Sequence, residues 1–247
     1  MKVLTVVQAR MGSTRLPKKT LMEINGKPIL EIIIEFLKLS KLTSKIIVAT
    51  TDLQEDDKIE ELCTKLNIEC FRGNANDVLQ RYYDCAKLYK GDLVVRITAD
   101  DPLIDSELVD QVIQTCKETK CDFASTVIVP GYPIGYFIEA LTYSTLEWLN
   151  LTQKDILTRE HVTYHIKQNL NSFNVQKIVP PTNLFRPNWR LTIDYEEDLF
   201  LISKIFEKLY KKNSFIKYIS VVELLDNNLE LLEINQKYIQ RNTPRNN

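Results

Sequence analysis

Cationic side chains are concentrated between Gln8 and Lys19, directly after the first apolar run of the sequence. Arg10, Arg15 and Lys19 can neutralise phosphate oxygens from such a short segment. Gly12 lets the backbone turn close to a ligand, and the two residues after it offer hydroxyls. The combination predicts a loop that binds a nucleoside triphosphate through its phosphates.

This segment departs from the two common phosphate-binding patterns. It fits neither GxxxxGK[ST], the phosphate loop of many nucleoside triphosphatases, nor GxGxxG, the dinucleotide fingerprint. A loop whose cations are simply solvated would have the same composition. Composition alone does not choose between these interpretations.

Asp100 follows another apolar run, Asp92–Thr98. A carboxylate at the end of a central strand can hold a divalent cation, with Mg²⁺ expected, against phosphate oxygens. The alternative for Asp100 is a turn into a helix that Asp105 or Ser106 caps. Both interpretations can hold at once, because the cap and the metal ligand are different residues.

The apolar runs predict the strands of a parallel sheet. Val3–Gln8, Lys45–Thr50 and Asp92–Thr98 are short and bounded by polar loops. Between and beyond them, apolar spacings of three and four predict helices at Pro28–Leu39, Glu55–Leu66 and Asn76–Tyr89. This alternation implies an α/β fold with a mostly parallel sheet, helices on both faces, and ligands at the carboxyl ends of the strands.

The second half of the chain breaks the alternation. Its prolines and glycines between Cys121 and Phe137 indicate a bent strand or a hairpin insertion. Beyond it we predict helices at Thr142–Leu149, Arg159–Lys167 and Glu196–Lys211, a strand at Trp189–Ile193, and one or two closing helices in Val221–Ile239. We expect a single domain over residues 1–240 and a frayed tail over 241–247.

Composition limits the classes of function. The 247 residues include 32 Lys+Arg and 33 Asp+Glu, so no overall positive field is available for a long nucleic acid. No apolar run suits a signal peptide or reaches the ~18 residues of a membrane span. Five cysteines without a CxxC pair suit neither a disulfide scaffold nor a zinc ribbon. We therefore expect a cytoplasmic protein with reduced thiols, no nucleic acid partner and no membrane association.

A set of motifs runs in order through residues 2 to about 205. It comprises ARMGSTRLPxK with Asn25-Gly26-Lys27-Pro28, Phe71-Arg72-Gly73 with Asp77-Val78-Leu79 and Arg81-Tyr82-Tyr83, Val94-Val95-Arg96-Ile97-Thr98 with Asp100 and Pro102-Leu103-Ile104-Asp105, Arg159-Glu160-His161-Val162-Thr163, and Leu191-Thr192-Ile193-Asp194 with Glu197-Asp198-Leu199. Together they resemble the cytidylyltransferases that make activated sugars, a family that includes CMP-Kdo and CMP-sialic acid synthetases. The match is best to the SpsF-type spore-coat polysaccharide branch. The resemblance implies a nucleotide-diphospho-sugar transferase fold.

The resemblance also implies roles for individual residues. It places nucleotide binding on Gln8, Ala9, Arg10, Met11, Gly12, Ser13, Arg15, Lys19, Arg72, Asp77, Arg81, Thr98 and Ala99. Arg15, Lys19 and Asp100 are the catalytic candidates, and Asp194 joins Asp100 as a ligand of Mg²⁺. Asp194 could instead cap the helix near Glu196. Asp77 could likewise be a cap, with Arg81 as its i,i+4 partner.

Glu139, Glu160 and His161 are the candidates for acceptor binding. Phe137 stands where the SpsF-type branch has Asp, so the resemblance does not carry over the identity of the acceptor. His161 and His165 have the i,i+4 spacing of some zinc sites, but no suitable third ligand is evident nearby. A structural role is the alternative for both histidines.

These residues predict a nucleotidyl transfer. An acceptor oxygen would attack the α-phosphorus of a nucleoside triphosphate, with CTP favoured, and pyrophosphate would leave. A sugar hydroxyl would need a base and a sugar phosphate would not, and the sequence leaves both acceptors open. A metal-dependent glycosyltransferase and a nucleotide-binding regulatory module are the alternatives.

We also expect a homodimer. The irregular stretch Val127–Phe137 precedes a helix that carries Tyr143 and Trp148. Exposed aromatic residues are enriched at the cores of interfaces. The alternative is that both rings pack on their own sheet.

Overall fold

A computed structural model describes residues 1–212 and 214–238, and a sheet of seven strands lies at its centre. In chain order the strands are β1 (Val3–Gln8), β2 (Glu23–Ile24), β3 (Lys27–Pro28), β4 (Lys45–Thr51), β5 (Glu69–Gly73), β6 (Leu93–Thr98), β7 (Phe123–Ser125), β8 (Glu139–Thr142) and β9 (Val175–Lys177). Within the described part of the chain, the short strands β2 and β3 pair only with each other. The other seven lie in the order β5-β4-β1-β6-β8-β7-β9.

The three strands predicted from apolar runs are confirmed as β1, β4 and β6. β1 lies between β4 and β6 and pairs with both in parallel. These strands are buried on both faces because helices cover each side of the sheet. Their carboxyl ends therefore meet at one edge, at Gln8, Thr51 and Thr98.

Helices cover both faces of the sheet. They are α1 (Ile29–Leu37), α2 (Asp57–Lys65), α3 (Val78–Leu88), α4 (Ser106–Thr119), α5 (Tyr143–Thr152), α6 (Ile156–His161), α7 (Tyr164–Gln168), α8 (Glu196–Leu209) and α9 (Tyr218–Asp226). Apolar residues of α1, α4, α8 and α9 form the core on one face. Those of α3 and α5 form it on the other. The predicted α/β class is confirmed.

The predicted insertion is a long irregular connection between β7 and β8, which pair antiparallel with Phe123 opposite Leu141. Gly135 in this connection has a φ of 109°. A Cβ there would lie 2.3 Å from the carbonyl oxygen of Leu191, so only glycine allows the two segments to approach.

Two predicted elements are wrong. Trp189–Ile193 is not a strand of the sheet, since among the residues described here it makes only one bridge, from Arg190 to Ile134 in the irregular connection. The helix predicted at Arg159–Lys167 is broken at Val162, where φ is 51°. The break lets the adjacent Thr163 bury its hydroxyl against Glu139, a tertiary contact that overrides helical periodicity.

The end of the chain follows the prediction as far as it is described. α9 is followed by a 3₁₀ helix at Leu229–Ile234. The predicted frayed tail, residues 241–247, lies outside the described residues. No helix in the described ranges combines the length and hydrophobicity needed to cross a bilayer.

Candidate active site

The loop after β1 is held in shape from both ends. Met11 and Leu16 are buried in the core. The carbonyl oxygen of Met11 accepts hydrogen bonds from the amides of Ser13 and Lys18, at 2.9 and 3.0 Å. The segment between these anchors is thereby presented at the carboxyl edge of the sheet.

Asp56, the residue directly before α2, anchors the same loop. Its carboxylate is fully buried and accepts the Met11 amide at 2.7 Å. It also accepts hydrogen bonds from the amide and hydroxyl of Thr51 at the end of β4. Nothing in the sequence distinguishes Asp56 from its acidic neighbours Glu55 and Asp57, and the role was not predicted.

A cleft of about 180 Å³ opens beside the loop. Its walls are Gln8, Arg10, Ser13, Thr14, Arg15, Lys19, Thr20, Thr98, Ala99 and Asp100. Eight of these were named from the sequence as nucleotide-binding or catalytic candidates. The fold therefore brings together the loop after β1 and the loop after β6, as a parallel sheet with adjacent strands requires.

The predicted cations and carboxylates meet at the wall of this cleft, which Arg15, Lys19 and Asp100 line. The ammonium of Lys19 donates to Asp100 Oδ2 at 2.6 Å and to Asp194 Oδ1 at 2.9 Å. Arg15 Nη2 lies 2.7 Å from the same Asp194 oxygen. Two carboxylates from separate parts of the chain thus point at one cation, even though Trp189–Ile193 does not form the strand we expected.

Burial and charge oppose each other at this cluster. Burial disfavours the ammonium of Lys19, but Asp100 and Asp194 outweigh it and raise the pKa of Lys19. Burial would likewise raise the pKa of Asp194, yet Lys19, Arg190 and Arg15 hold it below its ordinary value. Lys19 and Asp194 therefore both carry their charges at neutral pH.

Asp194 is fixed by a buried network that the sequence did not reveal. Arg190 Nη2 donates to Asp194 at 2.8 Å and to Asp198 at 2.9 Å. Asp198 also accepts the Asp194 amide at 2.9 Å, and Asn235 from the closing segment donates to Asp198 at 2.8 Å. Tyr195, not Asp194, is the N-cap of α8. Asp194 is thus free of a capping role.

Asp100 and Asp194 fit a metal ion that is also coordinated by the bound nucleotide. The described residues contain no group of three His, Cys, Asp or Glu side chains that could hold a metal by themselves. Asp100 and Asp194 would supply two oxygens, and phosphates and water would supply the others. Mg²⁺ prefers this kind of site, because it retains waters and binds through one or two carboxylates plus phosphates.

Arg81, a predicted nucleotide contact, is a buried cation on α3. Its Nη1 donates to the Asn74 carbonyl oxygen at 2.8 Å. Its Nε and Nη2 have no hydrogen-bond partner among the described residues, and burial lowers its pKa. The alternative pairing with Asp77 is wrong, because Asp77 caps α3 and contacts Arg159 at 2.5 Å instead.

The guanidinium of Arg72 binds to residues of α2 and of the connection between β4 and α2. It donates to the carbonyl oxygens of Thr51 and Leu53 and contacts Asp57 and Glu60 at 2.5 and 2.9 Å. Its predicted contact with the nucleotide, like that of Asp77, stays a prediction.

The predicted acceptor residues lie around β8. Glu139 is buried on β8 and contacts Arg96, Lys167 and Thr163. Glu160 is exposed, and burial lowers the pKa of His161. Because of the break at Val162, His161 ends α6 while His165 lies on α7, so the pair does not share one helix face. Sequence reasoning missed Arg96 and Lys167, whose partners are distant in the chain.

Comparison with known proteins places this arrangement in a family. The sequence profile of the cytidylyltransferases matches residues 4–234. An uncharacterized protein of Methanocaldococcus jannaschii is 39% identical over 98% of this chain and 97% of its own length. The spore coat polysaccharide biosynthesis protein SpsF of Bacillus subtilis is 30% identical over 83% of this chain and 87% of its own.

Solved structures agree in fold. A cytidylyltransferase from Leptospira borgpetersenii serovar Hardjo-bovis superposes with a TM-score of 0.89 at 33% identity, covering 98% of this chain and 100% of that one. A CMP:2-keto-3-deoxy-manno-octonic acid synthetase complexed with CTP has a TM-score of 0.64 at 15% identity, covering 84% and 99%. The similarity to this synthetase shows that the chain has the predicted nucleotide-diphospho-sugar transferase fold. With a matching profile over most of its length, the chain belongs to the cytidylyltransferase family.

Proposed function

We propose that this cytidylyltransferase transfers CMP from CTP to a sugar or sugar phosphate, with Mg²⁺, and releases pyrophosphate. The proposal depends mainly on one observation: Arg15, Lys19 and Asp100 line one cleft, and the buried Asp194 contacts both of these cations. Cations that can bind phosphates lie in direct contact with carboxylates that can bind a metal. This arrangement suits the transfer of a charged phosphoryl group.

The loop after β1 would hold the triphosphate. Its backbone turns at Gly12 and Ser13, and Arg15 and Lys19 would donate to the oxygens of the departing β- and γ-phosphates. An acceptor oxygen attacks the α-phosphorus, the bond from that phosphorus to the bridging oxygen breaks, and the electron pair leaves with pyrophosphate. Mg²⁺ held by Asp100 and Asp194 would neutralise phosphate charge.

Arg81 would select the base. Its unused N–H groups suit O2 and N3 of cytosine, which both accept hydrogen bonds. Uracil has an N–H at position 3, so a donor of the base would face a donor of Arg81. An unpaired buried polar group discriminates strongly between such ligands.

The names of the relatives support the biological context. SpsF is described as a spore coat polysaccharide biosynthesis protein, and a structural neighbour is a synthetase complexed with CTP. We infer that this chain also makes an activated sugar for a cell-surface polysaccharide or glycoconjugate. Its five cysteines are free thiols, which fits the cytoplasm as its compartment.

The test is pyrophosphate release from each of the four ribonucleoside triphosphates over a panel of sugars and sugar phosphates. We expect turnover with CTP, dependence on an acceptor, and no need for a nucleotide-sugar donor. Arg81→Met should raise the KM for CTP and reduce the preference for CTP over UTP, whereas Lys87→Met, an exposed change on the same helix, should not. Failure of every triphosphate to yield pyrophosphate would reject the proposal.

A further inference from the structure

The segment after the 3₁₀ helix at Leu229–Ile234 packs against the network that fixes Asp194. Asn235 is buried and donates to the carbonyl oxygen of Arg190 at 2.9 Å and to Asp198 at 2.8 Å. Arg190 and Asp198 are the residues that hold the carboxylate and the amide of Asp194. The end of the described chain is therefore anchored directly behind the proposed metal ligand.

Three residues further on, the ring of Tyr238 stacks on the ring of Tyr195. The ring centroids are 3.8 Å apart and the ring planes differ by 5°. Glu197 accepts hydrogen bonds from the Lys237 ammonium at 2.6 Å and from the Tyr238 hydroxyl at 2.7 Å, and these bonds lower the pKa of Glu197 to about 2. The ring of Tyr195 is thus held on one face by a residue that is itself fixed to α8.

Arg15 lies beside the same ring. The central carbon of its guanidinium is 5.8 Å from the centroid of the Tyr195 ring, which is within the range of a cation–π contact. Its Nη2 lies 2.7 Å from Asp194 Oδ1. The side chain of Arg15 therefore rests between a carboxylate and an aromatic ring.

Arg15 has fewer polar restraints than Lys19. The ammonium of Lys19 is 11% exposed and donates to two carboxylates and to the carbonyl oxygen of Ile193. The side chain of Arg15 is 30% exposed, and within the described ranges Asp194 is its one carboxylate partner. A long cationic side chain has many rotamers. A ring beside the guanidinium limits them, and it can keep this contact while the guanidinium turns from Asp194 towards phosphate oxygens.

Arg190 is a second cation beside the Tyr195 ring, at 5.7 Å. It is 5% exposed, and its guanidinium contacts Asp194 and Asp198 at 2.8 and 2.9 Å. Burial and two carboxylates fix Arg190 without the ring. Of the two cations, Arg15 is the one whose position depends on Tyr195.

We propose that Tyr195 positions Arg15 for the departing pyrophosphate and that Tyr238 holds the ring of Tyr195 in place. The proposal rests on the function proposed above and adds two residues to its machinery. Both are positioning residues, because they would act through Arg15 and not on the phosphates themselves.

The experiment removes each ring and then restores it. Pyrophosphate release from CTP is measured for Tyr195→Leu and Tyr238→Leu, and for the conservative variants Tyr195→Phe and Tyr238→Phe. We expect each leucine variant to lower kcat by about 3- to 30-fold, the range for the loss of a cation–π contact. The KM for CTP should change by less than about twofold, since the interaction is made in the transition state. Both phenylalanine variants keep the ring and should retain kcat.

Tyr89→Leu is the matched control. It removes a ring that lies 5.3 Å from the Lys45 ammonium and a hydroxyl that donates to Glu69. Lys45 and Glu69 begin β4 and β5, so this contact lies at the edge of the sheet opposite the cleft. We expect Tyr89→Leu to leave kcat unchanged.

A double-mutant cycle distinguishes positioning of Arg15 from a general structural role. If the ring acts through Arg15, adding Tyr195→Leu to Arg15→Ala should lower kcat by less than about a further twofold. Tyr238→Leu gives the same test if Tyr195→Leu does not fold. A full additional loss in the Arg15→Ala background would overturn the proposal, and so would a Tyr195→Phe variant as impaired as Tyr195→Leu.

A binding measurement separates this proposal from the proposed function. Inorganic pyrophosphate is titrated by calorimetry into the protein with Mg²⁺, because free pyrophosphate carries the charge that develops on the leaving group. Tyr195→Leu should weaken this binding by about 3- to 30-fold, but by less than about twofold when Arg15 is already alanine. That result supports the positioning role even if no triphosphate turns over. Equal weakening in both backgrounds, or no binding at millimolar pyrophosphate, counts against it.

Discussion

At the scale of residues, Lys19 joins the two halves of the site. It lies on the loop after β1 and contacts carboxylates from the loop after β6 and from the segment before α8. Arg15, Lys19 and Asp100 line the cleft, and Asp194 contacts both of these cations, so the same side chains are suited to a triphosphate and its metal. The roles of individual residues can therefore be separated by substitution.

Asp100→Asn and Asp194→Asn should each lower metal-dependent turnover by about 10²-fold or more, since each removes a charge that acts on the phosphates. Asp194→Asn should also lower the melting temperature more than Asp100→Asn, because Asp194 contacts Arg15, Lys19 and Arg190 whereas Asp100 contacts Lys19. Mg²⁺ titration of the rate and thermal melts check both. Near-normal activity of either variant at limiting Mg²⁺ would remove that residue from the metal site.

Arg15→Ala and Lys19→Ala should each lower kcat by about 10²-fold, as for the loss of one preorganised donor. The reason is that charge grows on the leaving pyrophosphate as the bond breaks. Lys18→Gly is the matched control, since Lys18 is exposed and has a φ of 63° that glycine adopts easily. An increase in KM with unchanged kcat would mean ground-state binding instead.

At the scale of elements, the loop after β1 depends on an anchor from outside itself. Asp56 holds the Met11 amide to the end of β4. The sequence indicated the loop because its cations are contiguous. It did not indicate the contacts of Asp56 or Arg96, because their partners Met11 and Glu139 lie 45 and 43 residues away in the chain. Arg190, Asp194 and Asp198 are close in the chain, but they do not lie on one predicted helix or strand, so no spacing pattern marked their network.

Asp56→Asn should loosen the loop after β1. The amide has the shape of the carboxylate but lacks its charge, and weakening buried charged hydrogen bonds costs about 1–3 kcal/mol. We expect a lower melting temperature and a lower kcat/KM for CTP. Glu61→Gln is the control, because Glu61 is exposed on α2. Equal behaviour of the two variants would contradict the anchoring role.

α4 ends at a residue that glycine would suit better. Lys120 follows the helix with a φ of 49° and is exposed. Left-handed backbone is strained for residues with a Cβ, so Lys120→Gly should stabilise the protein by up to about 1 kcal/mol. Lys117→Gly, inside the last turn, should destabilise it by a similar amount. Chemical denaturation of both variants checks the opposite signs.

At the scale of the whole molecule, the regular elements were predictable from apolar spacing, including α5 and α8 in the second half of the chain, and the irregular segments were not. β1, β4 and β6 and the helices between them follow from apolar spacing alone. The breaks at Val162 and at Trp189–Ile193 arise from long-range contacts, with Glu139 in one case and with the irregular connection in the other.

The homodimer remains a prediction, and exposed apolar residues indicate which surface would pair. Tyr143 stacks on Tyr83 of its own chain. Trp148, Leu151 and Ile156 on α5 and α6 are 44%, 65% and 80% exposed. If this face pairs, light scattering should give about twice 28.8 kDa, and Ile156→Asp should give a monomer. A wild-type mass near that of one chain would reject a stable dimer.

Nucleotidyl transfer breaks the bond between the α-phosphorus of CTP and the oxygen that bridges it to the β-phosphorus. The measurement is an incubation of the enzyme with an acceptor and with CTP labelled at either the α- or the γ-phosphorus. We expect the α label to move to the acceptor as CMP while the γ label appears in pyrophosphate. Recovery of the γ label in inorganic phosphate or on the acceptor would contradict it.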